Sequence, residues 1–243
     1  MIIINADDLG RSKPETDAAL SCYTAGRITS ATAMVFMADS ERAAEMAKSA
    51  GLDVGLHLNL DEILTSSDVP MELRRRHESV VHFLNRGKYA LLLYNPFLRG
   101  KFRFVYDAQE AEFMRLYGKP PSHIDGHRHM HLCTNILIDR VIPAGRKVRR
   151  SFSFSRGEKG LLNRAYRNLV DGWLQRRYLL TDYFFCLRQS LQTNKLGRVT
   201  ELSKTAKVEL MTHPKNALEY DFLMGNGFDR QFDGVKLETY SQL

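Results

Sequence analysis

Four of the eight histidines in the 243-residue chain fall within nine consecutive residues, HIDGHRHMH, at positions 123–131. With the period of a strand, one face would carry His123, Asp125, His127, His129 and His131. With the period of a helix, His123, His127 and His131 would stack at i, i+4 spacing. Neutral imidazole is the commonest metal ligand and titrates near neutrality. In either conformation several imidazoles converge, which predicts a metal or proton-transfer site. The alternative is a polar loop whose histidines only make hydrogen bonds.

The elements that must position these side chains follow an alternating pattern. Strand-like runs are MIIINA, ATAMVF, LDVGLHLNL, SHIDGHRHM and KVELMTH, and helical segments such as KPETDAALSCYTAGR and SERAAEMAKSAG separate them. This alternation is typical of βαβ units with a largely parallel sheet. We therefore predict one α/β domain over residues 1–243, a length that suits a single barrel. Residues 62–106 mix turn signals with short apolar runs and are interpreted as a lid or inserted helices.

Polar side chains stand at or near the carboxyl ends of four predicted strands. They are Asp7 and Asp8 after MIIINA, His57 and Asn59 in GLHLNL, His127 in the histidine cluster, and His213 in LMTHP. Active sites of α/β barrels lie at this rim, so we expect these groups to converge. The Asp-Asp pair follows an apolar strand and precedes the turn residue Gly10, so the two carboxylates should point in different directions. One could then bind a metal while the other transfers protons. Taken alone, His57 is equally a buried histidine with satisfied hydrogen bonds.

Four motifs occur in one order between residues 5 and 214: NADDLG, GLHLNL, SHIDGHRHMH and THP. Together they closely resemble the YdjC/ChbG family of carbohydrate deacetylases. The resemblance implies a distorted, TIM-like (β/α) barrel with largely parallel strands and an active site at its C-terminal rim. It also implies hydrolysis of an N-acetyl group on an acetylated sugar. Carried over motif by motif, it makes Asp8, His57 and His127 the metal ligands, Asp7 the general base and His213 the general acid.

Amide hydrolysis at neutral pH needs a strong nucleophile, a stabilised oxyanion and a proton for the departing amine. A metal with three protein ligands and open positions supplies the first two. Mixed nitrogen and oxygen ligands suit zinc, which we expect, with magnesium or another divalent ion as alternatives. The remaining polar residues of the cluster fit groups that orient ligands by hydrogen bonding, namely His123, Asp125, His129 and His131.

Composition indicates which other kinds of site, location and partner are expected. The three cysteines are widely separated and lack a C-x-x-C, so neither a disulfide framework nor a zinc knuckle is expected. Without a basic leader or an apolar run of about 18 residues, we predict a cytoplasmic protein. The net charge of +7 favours an anionic partner. A metal-dependent phosphoesterase and a noncatalytic binder of anionic glycan or nucleic acid remain alternatives, although no nucleic-acid motif is found.

Residues 146–180 form a basic segment. From Arg146 to Arg177 it contains ten basic residues and two acidic ones. Its stretch LLNRAYRNLVDGWLQRRYLL places Leu162, Tyr166, Leu169, Trp173 and other apolar residues on one helical stripe. Either this stripe packs on the sheet and leaves a solvated basic face, or it rests on a membrane or a lipid-linked, phosphate-bearing sugar. An acetylated sugar is the expected substrate, lipid-linked or anionic forms and a homodimer are left open, and nucleic acid is not expected.

Overall fold

The computed structural model describes residues 1–154 and 160–243, in which strands and helices alternate along the chain. The strands are β1 (Ile2–Leu9), β2 (Ser30–Ala33), β3 (Asp53–Leu58), β4 (Ile124–Gly126), β5 (Tyr183–Cys186) and β6 (Val208–Thr212). The helices are α1 (Lys13–Thr24), α2 (Ser40–Ala50), α3 (Met71–Leu84), α4 (Arg99–Tyr117), α5 (Thr134–Ile138), α6 (Leu161–Gln175), α7 (Leu187–Gln192), α8 (Leu196–Ser203), α9 (Ala217–Met224) and α10 (Asn226–Phe232).

The strands form a six-stranded sheet in the order β4-β3-β2-β1-β6-β5, and every neighbouring pair is parallel. The central strand β1 is buried along its whole length: its apolar run Ile2–Ile4 fits a parallel strand covered on both faces, and the buried Asn5, Asp7 and Asp8 follow it. The predicted α/β class is therefore confirmed. Strand β5 was absent from the predicted runs. It lies at the sheet edge and is only partly buried, so its sequence YFFC lacks a clear burial pattern.

Residues 147–153 join the two edges of the curled sheet into a distorted barrel. At one end, the Ile124 amide of β4 donates a hydrogen bond to the Lys147 carbonyl at 2.9 Å. At the other end, the Ser153 amide donates to the Phe184 carbonyl of β5, also at 2.9 Å. The segment forms isolated bridges rather than a full strand, which explains why the barrel is distorted. The TIM-like architecture expected from the motifs is confirmed.

The closing segment carries a completely buried arginine, Arg149, into the barrel interior. Its Nη1 lies 2.6 Å from Asp7 Oδ2 of β1 and 2.7 Å from Asp125 Oδ2 of β4. Its Nε lies 2.6 Å from Glu209 Oε1 of β6. An isolated charge is very costly to bury, so the guanidinium and the carboxylates must offset each other. Burial raises the pKa of Glu209 to about 7, although Arg149 opposes this shift.

Residues 62–106 contain helix α3, two short 3-10 turns at 90–92 and 96–98, and the first part of α4. Helix α4 is anchored in the core by Phe102 and Phe113, which are fully buried. Its Gln109 holds the loop after β3: the Gln109 Nε2 donates to the Asn59 carbonyl at 2.7 Å, and the Asn59 amide donates to Gln109 Oε1 at 2.9 Å. Helix α4 therefore supports the rim of the barrel.

Helix α6 divides its predicted stripe between the two alternatives: Trp173 packs against the core, whereas Leu162 and Leu169 face solvent. Leu162 is 89% exposed and Leu169 is 71% exposed. The buried side of the helix instead contains Val170, Leu174 and Asp171. Across the described residues, none of the helices combines the length and apolar character that spanning a bilayer requires. Three charged residues of the basic segment lie outside the described residues: Arg156, Glu158 and Lys159.

We predict that Arg149→Met destabilises the fold by about 3–5 kcal/mol, because the substitution leaves buried carboxylates without their cation. The free energy of unfolding would be measured by urea denaturation at neutral pH. The matched control is Arg75→Met on α3, whose side chain is 74% exposed and pairs with Glu72 at the surface. That control should change stability little, since exposed ion pairs are screened by water. Equal stability of both variants would contradict the role of Arg149.

Candidate functional site

Asp8 lies in a bulge of β1. The register of β1 with β2 shifts between Ala6 and Leu9, so the chain holds an extra residue there. Asp8 has φ of 68°, in the left-handed region that non-glycine residues seldom adopt. Its Oδ1 lies 3.2 Å from His57 Nε2 and 3.1 Å from His127 Nδ1. The structure thus brings together the three predicted ligands, and all three are buried.

His57, on β3, lies between two carboxylates. Its Nδ1 is 2.7 Å from Asp125 Oδ1 on β4, and its Nε2 faces Asp8. Burial alone would lower the pKa of His57, but Asp125 and Asp8 outweigh burial and raise it well above its usual value. Burial would likewise raise the pKa of Asp8, but hydrogen bonds from His127 and His57 hold it far below its usual range. The two carboxylates therefore favour the protonated form of His57, and a metal ion at Nε2 would compete with that proton.

His127 is the first residue after β4, and the chain turns sharply there. Arg128 and His129 have φ of 47° and 60°, so the histidine cluster is neither one strand nor one helix. The strand ends at Gly126, and a 3-10 turn, His127–Leu132, folds back over it. A Cβ at Gly126 would lie 2.9 Å from the His131 backbone nitrogen, so only glycine fits beneath this turn.

Glu62 is a contact of His127 that the sequence analysis missed. Its Oε2 lies 3.2 Å from His127 Nε2, the ring nitrogen that faces away from Asp8. Asn59 shapes the turn that carries it: Asn59 Oδ1 accepts the Glu62 amide at 2.9 Å, and Asn59 Nδ2 donates to the Glu62 carbonyl at 2.8 Å. Glu62 follows β3, as Asp7 and Asp8 follow the apolar run of β1. Its position after a strand was the feature of the sequence that could have identified it as a site residue.

The other members of the histidine cluster have separate partners. His123 stacks on Tyr240 with ring centroids 3.5 Å apart, and burial lowers its pKa to about 3. His129 packs edge-on against Phe152, and His131 Nε2 lies 3.0 Å from the Arg149 carbonyl. Of the four residues predicted to orient ligands, all of them in the described part of the chain, Asp125 alone contacts a predicted ligand.

Asp7 points into the barrel interior, where Arg149 binds it through both oxygens. The guanidinium Nη1 and Nη2 lie 2.6 and 2.7 Å from Oδ2 and Oδ1, and Asn5 Nδ2 donates to Oδ1 at 2.9 Å. A carboxylate offers about four lone-pair positions. These hydrogen bonds use three of them, so within the described residues one acceptor position on Oδ2 has no protein donor.

A second group of side chains could also surround an ion, namely Asp7, His57 and Asp125. The Arg149 Nη1 occupies that position, within 2.7 Å of both carboxylates. A guanidinium cannot lose its charge in a protein, so it repels a cation there. The group around Asp8 is therefore the better candidate for a metal.

His213 stands directly after β6, across the site from His127. Its Nε2 is 4.0 Å from Asp8 Oδ2, and its side chain is 40% exposed. Glu219 fixes the local backbone, because its Oε2 accepts the His213 amide at 2.9 Å and the Thr212 hydroxyl at 2.8 Å. The imidazole is thus held beside Asp8 while remaining open to a bound molecule.

A cavity of about 310 Å³ opens above these groups. Asp7, Asp8 and His213 line it, together with Arg11, Glu15 and Lys215. Lys215 Nζ lies 2.6 Å from Glu15 Oε1, and Arg11 Nε lies 3.1 Å from Glu62 Oε1. Charged side chains of the wall are therefore paired with opposite charges, and the wall offers hydrogen-bonding groups to a ligand rich in hydroxyl and amide groups.

The chain is similar in sequence to known proteins. The chain is 31% identical over 138 residues to a chitooligosaccharide deacetylase of Proteus mirabilis (strain HI4320), covering 56% of this chain and 52% of that protein. It is 36% identical over 136 residues to a carbohydrate deacetylase of Geobacillus stearothermophilus, covering 56% and 52%. A human carbohydrate deacetylase is 28% identical over 151 residues, covering 56% and 42%. The chain spans about half the length of the curated relatives it matches.

A solved structure shares the fold. It is that of an Enterococcus faecalis V583 protein provisionally described as a cellobiose-phosphate cleavage protein. The TM-score is 0.67 at 19% sequence identity, with 99% of this chain and 97% of that chain covered. The sequence model of the family described as YdjC-like protein matches residues 1–230. Because that match covers nearly the whole chain, the protein belongs to the YdjC-like family, as its four motifs predicted.

Proposed function

We propose that the protein is a metal-dependent hydrolase that removes the acetyl group from an N-acetylated sugar or oligosaccharide. The observation that carries this proposal is the position of Asp8 Oδ1, within 3.2 Å of both His57 Nε2 and His127 Nδ1. The names of the relatives from Proteus mirabilis and Geobacillus stearothermophilus support an acetylated sugar as the substrate.

Asp8, His57 and His127 would hold one divalent ion. The donor set fits such an ion because each histidine has one nitrogen toward Asp8 and the other toward a carboxylate, Asp125 or Glu62. This second contact is the usual way in which proteins select the tautomer of a ligating histidine. We propose zinc, with magnesium or another divalent ion as alternatives. When bound, the ion would lower the pKa of water and polarise the acetyl carbonyl.

Asp7 is the proposed general base. Its unused acceptor position on Oδ2 lets it take a proton from a water molecule in the cavity. Arg149 holds the carboxylate in a fixed orientation with two hydrogen bonds, so Asp7 can act without first ordering its side chain. Its neighbour Asp8 remains available for the metal because the bulge directs the two carboxylates to different partners.

His213 is the proposed general acid. It comes from a different strand than Asp7 and lies at the open side of the site, where a leaving sugar amine would depart. The 4.0 Å separation of its Nε2 from Asp8 Oδ2 leaves the nitrogen free of a short protein hydrogen bond. The imidazole can thus protonate the amine as the tetrahedral intermediate collapses.

The alternative of a two-metal phosphoesterase is less well supported. Such enzymes place two ions about 3.5–4 Å apart. The nearest second set of ligands in the described residues, Asp7, His57 and Asp125, already surrounds Arg149. A one-ion amide hydrolase agrees better with this arrangement.

The proposed reaction is tested by a screen of N-acetylated sugars, including N-acetylglucosamine and chitooligosaccharides, for released acetate. We expect acetate from at least one sugar, loss of the reaction after treatment with a chelator, and recovery when zinc or another divalent ion is added back. Phosphorylated sugars would be included and assayed for both acetate and phosphate. Release of phosphate without acetate would contradict the deacetylase proposal.

The proposed ligands predict that His127→Ala loses both bound metal and activity, because two protein ligands rarely hold an ion tightly. Metal content per chain would be measured after dialysis. The control is His82→Ala, an exposed histidine on α3, which should retain both properties. Full metal occupancy in His127→Ala would rule out the ligand assignment.

The proton-transfer roles predict a different result. Asp7→Asn and His213→Ala should keep the metal but lower kcat on the order of 10²-fold or more, the usual contribution of a general base or acid. The control is Asp17→Asn, a surface carboxylate paired with Arg42. Metal content and thermal unfolding would be measured beside kcat, so that a folding defect is recognised. Near-normal kcat with intact metal would remove that residue from the mechanism.

A further inference from the structure

We propose that the protein docks on a bilayer containing anionic lipid through an apolar patch beside the candidate active site. The patch consists of exposed side chains on α6 and on residues 89–97, and its members are Leu92, Leu93, Phe97, Leu161, Leu162 and Leu169. This inference concerns a binding partner and does not depend on the proposed reaction.

Helix α6 is oriented against the usual rule for a barrel helix. A surface helix normally turns its apolar stripe to the core and its charged side to water. Here Leu162 and Leu169 face water, whereas the buried Asp171 pairs with Arg150 at 2.6 Å. The Arg150 guanidinium neutralises the buried Asp171 carboxylate, so the helix can turn this charged residue toward the core. An apolar side facing outward predicts a partner for that side.

Residues 89–97 add a second exposed apolar element. Phe97 is 91% exposed and Tyr89 is 65% exposed. The two elements lie together, because Leu91 and Tyr166 line the same cavity of about 200 Å³. Arg128 also lines that cavity and directly follows the proposed ligand His127. The apolar patch therefore lies next to the candidate active site.

Charge distinguishes a bilayer from a second copy of the chain. Residues 79–106 contain no Asp or Glu and include five basic residues: Arg86, Lys88, Arg99, Lys101 and Arg103. Arg99 pairs with Asp139 at 3.3 Å and Arg103 donates to the Arg140 carbonyl at 2.7 Å, so the exposed Arg86 and Lys88 contribute most to the positive surface. On helix α6, Arg167 packs over the Phe152 and Phe154 rings and Arg164 is half-buried, so the positive charge beside the patch comes mainly from residues 79–106. A symmetric dimer through this patch would bring two positive surfaces together, which is unfavourable. Anionic lipid complements them, and each basic residue near such a surface contributes favourably to binding.

The kinds of exposed side chain also favour an interface with lipid. Phenylalanine and leucine enter the boundary between headgroups and acyl chains, and tyrosines lie at the headgroup level. Tyr89, Tyr94 and Tyr166 are all exposed beside the leucines. By contrast, Met71 and Met114 are isolated exposed apolar residues, which are normal on soluble proteins.

The test is sedimentation of the full chain with vesicles. One set contains phosphatidylcholine alone and the other contains equal parts phosphatidylcholine and phosphatidylglycerol. We expect the protein to pellet with the anionic vesicles and not with the neutral ones, and pelleting should weaken as salt rises because salt screens the charges. Equal recovery in the supernatant with both vesicle types at low salt would overturn the proposal.

Variants separate the apolar contribution from the basic one. Leu162→Ser with Leu169→Ser should weaken partitioning on the order of tenfold or more, because two apolar side chains no longer enter the interface. The matched control, Met71→Ser with Met114→Ser, should pellet like the parent protein. Arg86→Glu with Lys88→Glu should also reduce pelleting. Pelleting of the leucine variant at the level of the parent would contradict the assigned surface.

Two further measurements distinguish lipid binding from self-association and from the proposed reaction. Analytical ultracentrifugation of the parent and the leucine variant would detect a dimer; a dimer that the variant abolishes, without vesicle binding by the parent, would assign the patch to self-association and overturn the proposal. Acetate release from a soluble N-acetylated sugar should be equal in the parent and the leucine variant. Docking and the proposed reaction can therefore fail independently.

Discussion

The interaction on which the rest of the structure depends is the contact of Arg149 with carboxylates from three strands. The guanidinium binds Asp7 on β1, Asp125 on β4 and Glu209 on β6, and all of these groups are buried. Because Arg149 belongs to the segment that closes the barrel, one side chain links the closure to the interior. Removal of the cation would leave like charges a few ångströms apart in a medium that screens them poorly.

The same contact organises the candidate active site. Asp125 binds Arg149 through Oδ2 and His57 through Oδ1. Burial would raise the pKa of Asp125, but Arg149 and His57 together hold it well below its usual range, so the carboxylate is ionised. An ionised Asp125 accepts from His57 Nδ1 and keeps Nε2 toward Asp8, so a neutral His57 would present Nε2 to an ion. Arg149 thus influences a proposed ligand through one intermediate carboxylate, while it orients the proposed base Asp7 directly.

The site also contains local strain and excess charge. The left-handed conformation of Asp8 costs about 1–2 kcal/mol for a non-glycine residue. His57 lies buried between Asp8 and Asp125, and both carboxylates favour its protonated form. The left-handed backbone at Asp8 and the buried charges around His57 both lower the stability of the fold. Both suit a site where a metal ion competes with a proton. The rigid rim, held by Gln109 and Asn59, keeps these groups from relaxing apart.

The sequence by itself determined the α/β class, the family and the set of residues that converge, because apolar periodicity and strand-end motifs are local properties. The strand-end rule correctly predicted that Asp8, His57 and His127 lie together.

Tertiary structure decided which other groups touch them. Arg149 was only one arginine in a basic segment, and Glu62 only one acid after a strand, until closure of the barrel and the turn at Asn59 brought them to Asp7 and His127. Likewise, the stripe on α6 had a helical period that could be read, but which side faces the sheet depends on the packing of the whole barrel. Periodicity specifies the spacing of side chains along an element; the contacts made at long range specify the direction that each one faces.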